Sequence, residues 1–267
     1  NLLTFIVGRA EERLRRRESK DTARKSATRK LRLPGKLTDC TRENASETEI
    51  FLVEGESAGG SARQARDRET QAVLPLRGKI LNVASATVDK MRANQELRDL
   101  TEALGCGVGS TFDVSKLRYG RVIIMTDADV DGAHIASLLM TFFYREMPDL
   151  IRHGHLHLAQ PPLYRLTHGA KTVYAMNDQD RERRIKTEFK ANAKVEVSRF
   201  KGLGEMPVTD LKQTTMDPAR RTLLRVVALP EDRHTTNERV ESLMGRKPEL
   251  RFRFIQEHAR SVEDLDV

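Results

Sequence analysis

The sequence of 267 residues contains no tryptophan, only two cysteines, Cys40 and Cys106, and just 5% aromatic residues. Two isolated thiols are too few for a disulfide framework or a zinc knuckle, so the composition suits a reducing cytosol with both cysteines as ordinary buried or half-buried thiols. No apolar run approaches the roughly 18 residues that a membrane-spanning helix needs. The amino-terminal residues lack the charged, then apolar, then small pattern of a signal peptide. No internal repeat is apparent, and the chain opens at Asn1 in mid-pattern without a Met, which reads as a piece of a longer protein. Acidic charge is in the minority, with 39 Asp and Glu against 47 Lys and Arg, for a net charge of +8. That excess favours a polyanionic partner without showing one, and a basic soluble surface with no specific partner is the lesser alternative. A chain of this length can bury a substantial core, as one large domain or two modest ones.

What is present falls into segments. Residues 1–30 carry dense Arg, Lys and Glu with few breakers, as the end of a long exposed helix would. "LPGKLTDC" then interrupts with Pro34-Gly35, a linker signal. "EIFLVE" reads as a strand, "SARQARDRE" as a helix, "LPLRGKILNV" as a loop, residues 88–104 as one amphipathic helix, and "RVIIM" as a strand running into carboxylates. "AHIASLLMTFFYREMPDLIRHG" has helical spacing. "HLHLAQPPLYRL" and "KTVYAMN" predict a strand pair turning at His168-Gly169. Strands alternating with helices indicate an α/β fold with a parallel sheet. Beyond residue 170 the pattern loosens into a helix over 178–190, the strand "KVEVSRF", the "KGLGEM" turn and closing helices over 236–262.

Two stretches invite chemistry. "DADVDG" sets Asp127, Asp129 and Asp131 at alternate positions after an apolar strand. If the strand continues, all three point to one face at roughly 6–7 Å per step. Like charges so close are costly without a cation, and an all-oxygen ligand set favours Mg²⁺; a solvated acidic turn is the alternative. An EF-hand loop requires Glu at its twelfth position, where this sequence has Leu138. "VEGESAGG" can be read as a nucleophile elbow around Ser57, but an α/β-hydrolase places several strands before its elbow. The same stretch ends a strand with Glu54. In an open α/β sheet, carboxylates at the carboxyl ends of neighbouring strands converge in one crevice, so Glu54 and the Asp trio are candidates for a shared site. His153, His155 and His157 alternate too, without nearby Cys or acidic ligands, as a polar strand face does. "PLRGKILN" offers Arg77 and Lys79 around a flexible Gly78, suited to phosphate contact or to an ordinary basic loop.

Taken in order, "EGESAGGSA", "PLRGKILN", "DADVDGAHI", "QPPLY" and "RFKGLGEM" resemble the B subunits of bacterial type IIA topoisomerases from about Leu33 onward. The "QARDR" and "HIASLL" segments, and the lack of a long insertion after "QPPLYRL", resemble the topoisomerase IV branch more than the gyrase branch. The resemblance implies a Toprim domain, a Rossmann-like parallel sheet flanked by helices, over residues 33–169. It implies the end of a transducer helix and a linker over 1–32, and a smaller mixed α/β tail over 170–267 that docks on the A subunit. By the same resemblance Glu54, Asp127, Asp129 and Asp131 hold Mg²⁺, the first three being catalytic. Arg77, Lys79, Asn82 and His134 meet DNA, and Glu56, Arg77 and Lys79 border a quinolone-type inhibitor site, with Glu56 standing where many members have Asp. The implied activity is ATP-dependent double-strand cleavage, passage and religation by a cytoplasmic A₂B₂ heterotetramer. Its nucleophilic tyrosine belongs to the A subunit and its ATP site lies upstream, so Tyr119, Tyr144, Tyr164 and Tyr174 are not expected to attack DNA.

Overall fold

The computed structural model describes residues 33–229 and 231–259. The helix expected over residues 1–30 lies outside them. Contacts divide the chain into residues 1–35 and one compact unit over 36–267.

The unit is organised around a five-stranded sheet. Four strands are parallel: β1 (Glu49–Glu54), β2 (Gln71–Leu76), β3 (Arg121–Met125) and β4 (Leu156–Ala159). Tyr164–His168 (β5), Lys171–Ala175 (β6) and Glu196–Arg199 (β7) form a separate antiparallel sheet in the order β6-β5-β7, and Leu223–Arg225 (β8) returns to the first sheet antiparallel to β4. The first sheet runs β2-β1-β3-β4-β8.

Period-two alternation distributes the apolar strand residues between two cores. Ile50, Leu52, Val122 and Ile124 enter one core, and Phe51, Val53, Ile123 and Met125 the other. Both faces are covered, which is why β1 and β3 read as continuous apolar runs. The first face is closed by Gln95–Leu104 and by Val130–Glu146, whose Ile135, Leu138, Leu139, Phe142 and Phe143 recur at helical spacing. The second is closed by Gly55–Ala65 through Ala58, Ala62 and Ala65, together with Leu203, Met206, Leu211 and Met216 from far along the chain.

Several expectations need correction. The segment "LPL" is not loop but the end of β2. Val73 directs its N–H outward to Thr38 O at 2.9 Å, so Pro75, two residues on, places its missing N–H on that outer side, where no ladder bond to β1 is lost. The helix over 88–104 is two helices, Val88–Ala93 and Gln95–Leu104, because the Asn94 side chain accepts from Leu97 N–H at 3.0 Å and starts the second. "HLHL" joins the parallel sheet, leaving β5 and β6 as the hairpin. A division after residue 169 falls inside that hairpin, and the residues beyond it complete the core of the first sheet. Among the described residues no helix is long and apolar enough to cross a membrane.

The start of β1 is tied to this distal segment by a buried ion pair. Arg221 donates to both oxygens of Glu49, at 2.5 and 2.7 Å, with both side chains about 95% buried. Gln71 Nε2 donates to Glu49 Oε1 at 2.8 Å and to Met216 O at 2.7 Å. Removing Arg221 leaves the buried Glu49 carboxylate with only Gln71 and the more distant Arg121, at 3.7 Å, to offset its desolvated charge. Arg221→Ala is therefore expected to destabilise the fold by about 3–5 kcal/mol in denaturant unfolding. A loss below about 1 kcal/mol would show that the clamp does not hold.

Candidate metal centre

Parallel register brings the carboxyl ends of β1 and β3 level, with Val53 opposite Met125. Glu54 follows Val53 directly, and Gly55, at φ +71°, turns the chain into the helix Gly55–Ala65. Asp127 lies just beyond Met125, and both carboxylates are half-buried. Burial pushes the Glu54 carboxyl above the usual range, and the charge of Asp127 adds to this; the Asp127 main-chain amide offsets part, while Asp129 and Asp131 contribute further. Asp127 is raised as well, chiefly by burial, against a lowering from the Leu203 N–H, which donates to Oδ1 at 2.8 Å. Glu54 Oε2 is buried with no hydrogen-bond partner.

The three aspartates do not share one strand face. The strand ends at Met125, and Asp129 is already the cap of Val130–Glu146, its Oδ1 accepting from Gly132 N–H at 2.6 Å. The cap diverts the chain from extended to helical backbone, which defeats the period-two reading. Asp131 then lies exposed in the first turn, where Lys79 donates to its Oδ1 at 2.8 Å and holds it below the usual carboxylate range. Among the described residues no three His, Cys, Asp or Glu side chains are assembled so as to hold a metal ion. The structure thus pairs Glu54 with Asp127 and keeps Asp129 and Asp131 within electrostatic reach.

The "KGLGEM" turn closes over Asp127 and Ser57. A Cβ on Gly202 would fall 2.6 Å from Asp127 Oδ2, and one on Gly204 would fall 2.4 Å from Ser57 Oγ. Ser57 does sit after a strand-to-helix turn, as an elbow would place it, but its hydroxyl is packed against this glycine. Beside Asp127 and Asp129 lies a cavity of about 450 Å³, also lined by Gln160, Pro161 and Asn177. The role of Leu203 is not legible in the sequence, since the contact is a main-chain bond between residues 76 apart. The paired glycines around it are its one visible signal.

The family model of the Toprim domain matches residues 49–161, and that of the DNA gyrase B subunit carboxyl terminus matches residues 192–256. The chain is 62% identical over 267 residues to the DNA topoisomerase 4 B subunit of Caulobacter vibrioides, matching 100% of this chain and 38% of that protein. It is 58% identical over 266 residues to the protein of the same name in Bartonella bacilliformis, again over 100% and 38%. With the DNA gyrase B subunit of Halalkalibacterium halodurans it shares 53% identity over 246 residues, covering 92% of this chain and 38% of the relative. The chain belongs to the type IIA topoisomerase B-subunit family. It spans about two fifths of the length of these curated relatives.

The other candidate residues divide clearly. The "PLRGKILN" loop turns at Gly78, φ +68°, leaving Arg77 and Lys79 exposed, and Glu96 anchors it by accepting the Arg77 main-chain N–H at 3.0 Å. Asn82 is engaged internally, donating to Met244 O at 2.8 Å and accepting from Ala84 N–H at 3.0 Å. His134 is exposed near the start of its helix, and Glu56 is exposed beside Arg63 at 3.0 Å. His153, His155 and His157 each direct Nδ1 to a backbone carbonyl, at 2.8, 2.8 and 3.1 Å, and do not converge. Tyr119, Tyr144, Tyr164 and Tyr174 hydrogen-bond to Asp39, Asn237, Asp178 and Asp210, and burial raises the Tyr119 and Tyr174 hydroxyls, the latter to about 12. Cys40 and Cys106 are free, and burial pushes both thiols up to about 11.

Two glycine substitutions separate the closure from ordinary helix effects. Gly202→Ala is expected to cost about 1–3 kcal/mol, because the new methyl collides with Asp127. Gly60→Ala, in mid-helix with nothing within 4 Å of the added Cβ, is expected to stabilise by about 0.5–1 kcal/mol. Denaturant midpoints of the two variants shifting in the same direction would contradict the described packing.

Proposed function

We propose that this chain is the Mg²⁺-binding region of a topoisomerase IV B subunit, working in the cytoplasm with an A subunit to cleave, pass and religate double-stranded DNA in an ATP-dependent cycle. The observation that carries the reading is the buried, unpartnered Glu54 Oε2 beside a second half-buried carboxylate. An orphaned anionic oxygen in a like-charged pair is the arrangement a hard divalent cation relieves. The topoisomerase IV assignment rests on relatives of that name matching the whole chain at 62% and 58% identity, against 53% over 92% of the chain for a gyrase relative.

In this reading Glu54 and Asp127 hold the ion from the two strand ends. Asp129 contributes the oxygen that its helix cap leaves over, and Asp131 serves as a second ligand or as an orienting group. When bound, Mg²⁺ would supply positive charge against the charge that develops on the phosphodiester and the departing 3′ oxygen. Arg77 and Lys79, exposed on a loop fixed by Glu96, draw in DNA phosphates. Glu56, with Arg77 and Lys79, borders the quinolone-type site. The four tyrosine hydroxyls are each engaged within the chain, and the family resemblance assigns the nucleophile to the A subunit. Asn82, already engaged within the chain, acts by holding the loop rather than by contacting DNA.

The test is Mg²⁺-dependent double-strand breakage by the chain reconstituted with a topoisomerase IV A subunit. Glu54→Gln and Asp129→Asn are each expected to lower it by at least about 100-fold, the upper end of the loss when only an outer-shell partner of a metal ligand is changed. Asn still caps the helix, so the second variant separates charge from folding. Ser57→Ala is expected to stay within a few-fold of the parent. A dead Ser57→Ala beside a fully active Glu54→Gln would overturn the reading.

A further inference from the structure

The ion pair between Lys79 and Asp131 crosses 52 residues of sequence and joins two features suited to different ligands. Lys79 belongs to the loop read as phosphate-binding. Asp131 belongs to the carboxylate set, and its charge is felt at Glu54. The pair closes at 2.8 Å with the side chains 45% and 62% exposed, so solvent and competing ions reach both partners. An exposed pair of this kind contributes little to stability and exchanges partners at low cost. A phosphate competes well for the lysine, and a divalent cation competes well for the carboxylate.

We infer that Lys79 is a positioning residue that keeps Asp131 from metal until a DNA phosphate takes the lysine away. This rests on the metal-centre reading and adds a coupling to it. Glu54 and Asp127 form a fixed part of the centre, held half-buried by the sheet and by Leu203. Asp131 forms a conditional part, neutralised by Lys79 in the absence of DNA. Since Lys79 cannot serve phosphate and Asp131 at full strength together, DNA binding strengthens metal binding at Asp131. By thermodynamic reciprocity, metal at Asp131 strengthens DNA binding to the same degree. The arrangement confines full metal loading to the DNA-bound protein, where the cation is needed.

The measurement is Mn²⁺ uptake by the chain, followed by the electron paramagnetic resonance of the free ion and corrected for uptake by DNA alone. Without DNA, Lys79→Gln is expected to raise Mn²⁺ affinity by about 1.5- to fivefold, the range for releasing an exposed ion pair. Lys79→Arg, which keeps the pair, is expected to leave affinity unchanged. In an Asp131→Asn background Lys79→Gln is expected to produce no gain, because the lysine then has no carboxylate to withhold. A short duplex is expected to raise the affinity of the parent chain and to add little to that of Lys79→Gln. An equal gain from Lys79→Gln with and without Asp131 would reduce the effect to general charge removal and overturn the inference. So would an unchanged affinity in Lys79→Gln while Glu54→Gln still weakens uptake. Uptake that Glu54→Gln leaves untouched would instead remove the metal centre, and this inference with it.

Discussion

Two carboxylates half-buried side by side, with one oxygen lacking any partner, form the constraint on which the rest of this structure turns. Desolvation and like charge both oppose their ionisation, so the fold must supply the energy to hold them together. It does so with its most rigid elements. Val53 and Met125 are paired at the ends of adjacent strands buried on both faces, so Glu54 and Asp127 emerge close together with little freedom to separate. A polypeptide gains nothing in stability from this arrangement by itself, which is the physical reason to regard the site as built for a cation.

The distal part of the chain is integral to that construction. It grips β1 at both ends: Arg221 and Met216 engage Glu49 and Gln71 at the start, and Gly202, Leu203 and Gly204 close over Asp127 and Ser57 at the end. Between these points Met206, Leu211 and Met216 cover the second face of the sheet. A Toprim domain with a loosely attached tail would leave that apolar face open to water. Here burial of the core and positioning of the carboxylates come from the same segment, so changes near residues 200–221 reach the site through packing.

Much of this is legible in the sequence, and what is hidden there has definite causes. β1 and β3 are readable because burial on both faces makes them uninterrupted apolar runs. The long helix after Asp129 is readable from its 3.6-residue spacing. β2 is hidden by Pro75, which reads as a breaker unless the strand is known to lie at an edge. The common face expected for the three aspartates fails because Asp129 caps a helix, and that cap ends the extended geometry. Asn94 likewise divides a pattern that looks continuous. General α/β topology is enough to assign Glu54 and the "DADVDG" segment to one crevice. It is not enough for the Leu203 bond to Asp127 or the Lys79 pair with Asp131, because both depend on register across distant segments.

If the Glu54 and Asp127 pair is shaped by a cation rather than by the fold's own stability, the folded chain must gain stability from that cation. Thermal unfolding of the chain across a Mg²⁺ titration tests this most directly, since an ion that binds only the folded state raises the midpoint with concentration. A rising midpoint is predicted for the parent chain. The metal-free Glu54→Gln variant is predicted to be at least as stable as the parent, because a desolvated charge has been removed, with a midpoint that Mg²⁺ no longer moves. A Glu54→Gln variant that is less stable without metal, and yet rises with Mg²⁺ as the parent does, would contradict it.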